Sequence, residues 1–351
     1  MKSTEAVDVA IAGAGIIGLS LALELRQRGL SVTVMEQGQA MSSASWAAGG
    51  MLAVNDPQNP PGLMPLCVRS WALYPSYLDR IESLSGQCVS IRTRRTLQEI
   101  KSERPSDGLA TAAEIATLAP GLDPNGHSFQ WLDEGSIDPN DLREALPKAV
   151  RAAGGILLES TMVTGVEVVS NIVRVQTQQE PISAGMFVNC CGAWAGNRQW
   201  GGLPVEPVKG HMANLQCEPN RLRCVVRTPA VYLVPRGDGR VTIGATIEHA
   251  GFDESVQEPK IKTLLDSALR LLPEATVSSP MEVWTGLRPG TPDGLPILGA
   301  SKSEHCWHAA GHYRDGILLA PVTARVMAQV MLGETPEVPL EPFSPARFDS
   351  Y

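Results

Sequence analysis

Gly13, Gly15 and Gly18 stand in the spacing Gly-x-Gly-x-x-Gly, and Glu36 follows 18 residues after the last of them. Gly13 allows a tight turn, Gly15 lets a pyrophosphate approach the backbone, and Gly18 lets a helix pack closely on a strand. Ala14, Ile16 and Ile17 complete the turn and open a helix, whose N-terminal N–H groups and dipole favour an anion. An acid at Glu36 can hydrogen-bond a ribose 2′-OH. The chemistry implied is dinucleotide binding; a generic glycine turn with a solvated Glu36 is the plainer alternative. Two arginines far along the chain, Arg288 and Arg314, suit a different task. A planar guanidinium binds a carboxylate bidentately, although either residue could equally serve a structural ion pair.

The elements that must position these residues follow from apolar patterning. Val7, Val9 and Ile11 mark a buried strand before the glycines, an amphipathic helix follows, Gly29 can cap it, and Ser31–Met35 is the next strand. The small-residue segment 41–51, which includes Ala44, Ser45, Gly49, Gly50 and Met51, lets the backbone come close to a ligand. The Pro-rich stretch 55–65 predicts an irregular connection. Leu66, Trp71, Tyr74, Leu78 and Ile81 have helical spacing, which predicts a core-facing helix over 67–84. A strand is expected over 88–100, with Arg92, Arg94 and Arg95 on an exposed face, then a short helix at 111–118 and a strand at 128–132. Asp138-Pro139-Asn140-Asp141 supplies the cap of a helix reaching Ala153, which Gly154-Gly155 ends.

Strands are expected at 156–158, 163–169 and 172–176. The continuous apolar run 186–191 then reads as a strand buried on both faces of a parallel sheet. The segments 205–215 and 231–247 are strand-rich, with a hairpin turn at Gly237-Asp238-Gly239, and 260–272 reads as a helix. The block 284–299 carries so many Gly and Pro residues that an irregular loop is expected around Arg288. A strand at 306–310, the turn Gly311–Gly316 and a helix over 317–332 close the chain. This second glycine turn places another positive helix end near a ligand. Such an end suits the negative charge that a reduced flavin carries near its pyrimidine ring; nicotinamide reduction creates no such charge.

The chain has 351 residues, 43% hydrophobic, with a net charge of −8. That length favours two domains, and the charge disfavours nucleic acid and anionic membrane as partners. The seven cysteines are odd in number and lack metal-ligand or redox spacing, so no metal is expected and Cys190-Cys191 reads as buried apolar filling. The first strand begins almost at once and no apolar run spans a bilayer; a reducing cytoplasm is the expected compartment. The expected fold class is α/β. A Rossmann-like nucleotide domain (1–70, 146–204 and 286–351) is interrupted by an α+β substrate domain (71–145 and 205–285) with a mainly antiparallel sheet.

Several blocks carry a resemblance: Ala47–Leu52, Val208-Lys209-Gly210, Tyr232–Arg236, Gly286–Asp293 and Ala309–Pro321. Over nearly its whole length the chain resembles the D-amino-acid oxidase superfamily of FAD-dependent oxidoreductases, and within it the glycine oxidases of thiamine biosynthesis. The resemblance implies non-covalent FAD and oxidation of a small amino acid (glycine, sarcosine, D-alanine) to an imine, with O2 reduced to H2O2. It implies that Arg288 binds the substrate carboxylate, Tyr232 hydrogen-bonds it, and Arg314 lies beside it. It places Glu36 and Gln37 at the adenosine ribose and Val163 at the adenine half. Ala44, Ser45, Gly49, Gly50 and Met51 then touch the flavin, and the loop His312, Tyr313, Arg314, Asp315, Gly316, Ile317 and Leu318 covers its pyrimidine. A homo-oligomer, dimer or tetramer, is also implied. Relatives can carry a histidine a few residues past the Met51 position, where this chain has Ala53-Val54-Asn55. Together with the Pro-rich stretch, that departure bears on substrate range and loop gating. Cys306 does not match the cysteine of the covalent flavin link in sarcosine oxidases. Alternatives are an FAD-dependent D-amino-acid dehydrogenase passing electrons to a quinone and a non-catalytic flavin-binding protein. A nicotinamide-dependent dehydrogenase is disfavoured by the C-terminal turn and the 42–51 segment.

Overall fold

The computed structural model describes residues 6–100, 108–124, 126–196, 202–278 and 281–348. Its organising sheet begins with the parallel pair Val7–Ala12 and Val32–Met35, joined by the helix Ile16–Gln27. Strand Ile182–Asn189 lies parallel on the other side of Val7–Ala12, and Cys306–Ala310 lies parallel beyond it. Ile156–Leu158 extends the sheet past Val32–Met35, and Ile297–Ala300 adds an antiparallel edge. The helices Ile16–Gln27, Met64–Ser85, Pro139–Ala152 and Gly316–Met331 share one apolar core with this sheet. The hairpin Val163–Val169/Ile172–Thr177 lies over the opposite face. Burial on both faces is why these strands read as unbroken apolar runs.

The second sheet runs in the order Thr276–Val277, Glu206–Gln216, Arg240–Gly244, Tyr232–Pro235, Val225–Arg227, Thr96–Ile100 and Ser128–Leu132. It is antiparallel except where Val225–Arg227 meets Thr96–Ile100. Helix Glu258–Leu271 covers it, with a separate core beneath. Asp138 caps its helix as its sequence position predicts, and Thr111 forms a full capping box with Glu114.

Two expectations are corrected. The block around Arg288 is not an irregular loop: Val283–Gly290 is an eight-residue strand paired antiparallel with Glu206–Gln216. Among the described residues it pairs with no other strand, which makes it a sheet edge, where a proline is tolerated because one side of the backbone needs no ladder hydrogen bond. Pro289 stands opposite Pro207 in that ladder. The strand expected over 88–100 is confined to Thr96–Ile100. The preceding arginines are held individually, Arg92 by Asp141 at 2.7 Å and Arg95 over the ring of Trp131 at 4.2 Å.

The glycine turn shows why its residues have no side chains. Gly13 has φ +102°, and a Cβ there would lie 2.3 Å from the carbonyl oxygen of Cys190. A Cβ on Gly18 would lie 2.0 Å from the carbonyl oxygen of Gly13. Helix, turn and two strands therefore meet backbone to backbone. Gly18→Ala must push the helix off the sheet, and such overpacking costs about 1–3 kcal/mol. Equilibrium denaturation of the variant against the parent measures it; an unchanged midpoint would show that the contact is not limiting.

Candidate functional site

The C-terminal ends of the parallel strands open onto a groove in two adjoining parts. One, about 650 Å3, is lined by Gly13, Gly15, Glu36, Gln37, Ala44, Ser45 and Val163, with Thr161, Met162, Cys190, Cys191 and Trp194. The other, about 1170 Å3, is lined by Gly15, Ile16, Ile17, Ala44, Ser45, Gly49, Gly50 and Met51, and by Tyr232, Arg288 and His312 to Ile317. Gly15, Ala44, Ser45, Cys190 and Gly192 border both parts. Three residues singled out from the sequence stand outside the walls. Ala14 is buried and gives its N–H to Glu36, Gly18 is spent on the backbone contact, and Leu318 is wholly buried in the first core.

At the glycine end, the Glu36 carboxylate accepts the N–H of Ala14 at 2.8 Å and that of Gly38 at 3.0 Å. These bonds hold it at the end of its strand with lone pairs to spare. Ser45 Oγ accepts the N–H of Ile16 at 2.9 Å, so the 41–51 segment is tied to the helix N-terminus. Gly49 faces Tyr232, where a Cβ would come within 3.1 Å of the ring. The Cys190 thiol is wholly buried, which pushes its pKa well up and leaves it a packing group.

At the far end, Arg288 projects from the edge strand across Gly210. A Cβ on Gly210 would lie 2.4 Å from both terminal guanidinium nitrogens, so this glycine makes room for the side chain. Arg288 donates to the carbonyl of Thr246 at 3.1 Å and has no carboxylate partner among the described residues. Thr246 is fixed in turn: its hydroxyl donates to Glu248 at 2.8 Å and accepts the His211 backbone N–H at 2.9 Å. Burial lowers the His211 pKa, and its Nε2 accepts the N–H of Gln257 at 3.0 Å, so the ring is a neutral strut. The Tyr232 hydroxyl reaches Met212 Sδ at 3.0 Å. Burial raises its pKa, and the Arg288 charge works against that rise.

Arg314 shares this part of the groove but is already paired. Its guanidinium bonds Asp56 at 2.7 Å and also contacts Gln58 Oε1. Asp56 and Gln58 come from the Pro-rich stretch; sequence reasoning missed them, and the only signal was a carboxylate in a stiff segment of unusual composition. Gly210 and Met212 were also missed as site residues. His312 is buried with Nε2 on Thr323 Oγ1 at 3.0 Å, and burial holds its pKa down to about 3. Its ring is neutral at neutral pH, and Nε2 is engaged by Thr323. No group of His, Cys, Asp and Glu suited to a metal ion occurs among the described residues.

The donor set fits FAD. Small residues leave the backbone open along the whole groove, an acid stands at one end, and helix N-termini at Ile16 and Gly316 face into it. Comparison with known proteins agrees. Residues 8–330 match the family described as FAD dependent oxidoreductase (DAO), and the chain belongs to that family. It is a flavin-dependent oxidoreductase. The chain is 33% identical over 360 residues to the glycine oxidase of Pseudomonas aeruginosa, covering 96% of this chain and 98% of that one. It is 35% identical to the bifunctional protein ThiO/ThiG of Synechocystis, over 97% of this chain but 54% of that longer protein, and so spans about half of its length. The crystal structure of glycine oxidase from Geobacillus kaustophilus superposes with a TM-score of 0.91 at 30% identity, covering 98% of this chain and 99% of that one. Among the described residues no helix is long and apolar enough to cross a membrane.

Asp315, at the head of the helix Gly316–Met331, is buried against this site. Burial raises its pKa to about 7, Arg314 opposes the rise and Asp56 adds to it. The unfolded chain releases this proton near 3.8 and the folded chain near 7. Stability attributable to Asp315 therefore falls as pH rises through that window, by on the order of 4 kcal/mol, and is flat above it. Asp315→Asn should flatten this part of the pH–stability curve; parallel curves for parent and variant would remove the assignment.

Proposed function

We propose that this chain is an FAD-dependent oxidase of glycine and other small amines and D-amino acids, sarcosine and D-alanine among them. It would convert them to the imine and then the 2-oxo acid while O2 becomes H2O2. The observation that carries this reading is Arg288: a guanidinium without a carboxylate partner among the described residues, beside the partly buried Tyr232, in a groove that suits a dinucleotide. The names of the relatives point the same way. The first sheet and its helices would form the FAD-binding domain and the second sheet the substrate domain.

Bound in this groove, FAD supplies the two-electron acceptor and passes the electrons to O2. The chain's residues do the positioning. Arg288 takes the substrate carboxylate bidentately, and the Tyr232 hydroxyl, turning from Met212, adds a third hydrogen bond. Anchored there, a small amino acid has its Cα–H facing the wall formed by Gly49–Met51 and the 312–317 loop. Most of the rate enhancement comes from that orientation. The substrate amine must be neutral, because its lone pair becomes the second bond of C=N as the Cα–H pair departs. His312 is not placed to take the amine proton, which leaves to water. Water then hydrolyses the imine. Small substrates follow from the crowding of Gly49, Tyr232 and Met212 in the groove. Delivery of the imine to a thiazole-forming partner is in keeping with the ThiO/ThiG relative. A reducing cytoplasm suits seven cysteines that are all free thiols.

A peroxide-coupled assay over glycine, sarcosine, D-alanine, D-proline and L-alanine tests the reaction. Turnover without peroxide, coupled instead to a quinone, would make the chain a dehydrogenase. Arg288→Ala should raise KM for glycine by at least about a hundredfold with flavin retained, as expected for losing a bidentate charged contact of roughly 3 kcal/mol. Tyr232→Phe should lower kcat/KM by about 1.5–3 kcal/mol, one hydrogen bond to a charged group. Unchanged kinetics in either variant would remove that residue from the site.

A further inference from the structure

The groove wall holds two guanidinium groups, but in different electrical states. Arg288 meets a carbonyl, whereas Arg314 is neutralised by Asp56 at 2.7 Å. Asp56 is itself a wall residue and its side chain is 3% exposed. We propose that Asp56 is a specificity-determining residue: by neutralising Arg314 it leaves Arg288 as the one guanidinium open to a ligand among the described groove residues, so the site takes amines with a single carboxylate and rejects those with two. This rests on the proposed amine-oxidase reading.

The Asp56 carboxylate cannot easily be lent elsewhere. Its Oδ1 accepts the N–H of Gln58 at 2.9 Å and its carbonyl accepts the N–H of Asn59 at 3.0 Å, which closes a turn. Glu134 pins the neighbouring N–H of Asn55 at 2.6 Å. Behind Asp56 stands Arg227 at 3.8 Å, but Arg227 is held by Glu134 at 3.1 Å and Gln98 at 2.5 Å. Two arginines thus face two carboxylates in a buried cluster, with Asp315 beside them, held by Asn59 at 3.4 Å. A second substrate carboxylate arriving at Arg314 would have to displace Asp56 and leave it buried without that partner. Uncompensated buried charge is costly, which makes the pair a device for rejection as much as for structure.

Flavin difference spectra of the holoenzyme test this without turnover. The probes are acetate, malonate and monomethyl malonate, the last matching malonate in size with one charge. The wild type should bind acetate and monomethyl malonate and bind malonate at least about tenfold more weakly, the scale of one charge-assisted contact. Equal affinity for malonate and its monomethyl ester would overturn the proposal. In flavin-loaded Asp56→Asn, the malonate-to-monomethyl-malonate ratio of dissociation constants should fall at least about tenfold, and iminodiacetate should gain against glycine in kcat/KM. A folded variant with the wild-type ratio would also overturn it. If Asp56→Asn does not fold, the wild-type comparison still decides. If no amine is oxidised but carboxylates bind with the expected discrimination, the proposed reaction fails while the assignment of Asp56 stands.

Discussion

The guanidinium of Arg288 is held in a partly buried cleft by a carbonyl, with no described carboxylate to neutralise it. Much of the surrounding structure follows from tolerating that charge. The edge strand carries the residue, Gly210 clears the space above the neighbouring strand, and Thr246 supplies the carbonyl. A neutral His211 and the Glu248 carboxylate hold Thr246 still. A partly buried cation with no carboxylate partner among the described residues is poised for an anion, since a ligand carboxylate supplies the interaction that the protein withholds.

The same accounting explains why the second arginine differs. Arg314 sits on the turn that leads into the last helix, close to Asp315 and the buried Arg227–Glu134 pair. Arg314 and Arg227 meet three carboxyl groups there, Asp56, Glu134 and Asp315, and Asp56 raises the pKa of the other two. The Pro-rich segment supplies the Asp56 carboxylate and holds it in a turn. The site therefore combines one open charge with one closed charge, and its selectivity lies in the difference.

The flavin groove is set by backbone rather than by charge. Gly13, Gly18 and Cys190 meet at distances that admit no side chain, and this contact brings the C-terminal ends of Val7–Ala12 and Ile182–Asn189 together. Ligands of open parallel sheets bind at such strand ends. Ser45 then ties the small-residue segment to the helix end, so the groove wall is continuous from Glu36 to Met51.

By itself the sequence determined the glycine turn, most of the strand and helix order, the caps at Gly29 and Asp138 and the alternation of two kinds of sheet, because these depend on local patterning and on backbone positions that only particular residues can occupy. The capping aspartate at 138, the hairpin glycines and the buried 306–310 strand were all legible in that way. Only the tertiary structure decided what the arginines do. Residues 283–290 look irregular in sequence yet form a strand, because an edge position excuses Pro289 from the hydrogen-bond ladder. Arg288 and Arg314 look alike in sequence and diverge because Asp56, 258 residues away from Arg314, reaches one and not the other. Pairing of charges depends on distances across the fold, and residue spacing along the chain does not contain them.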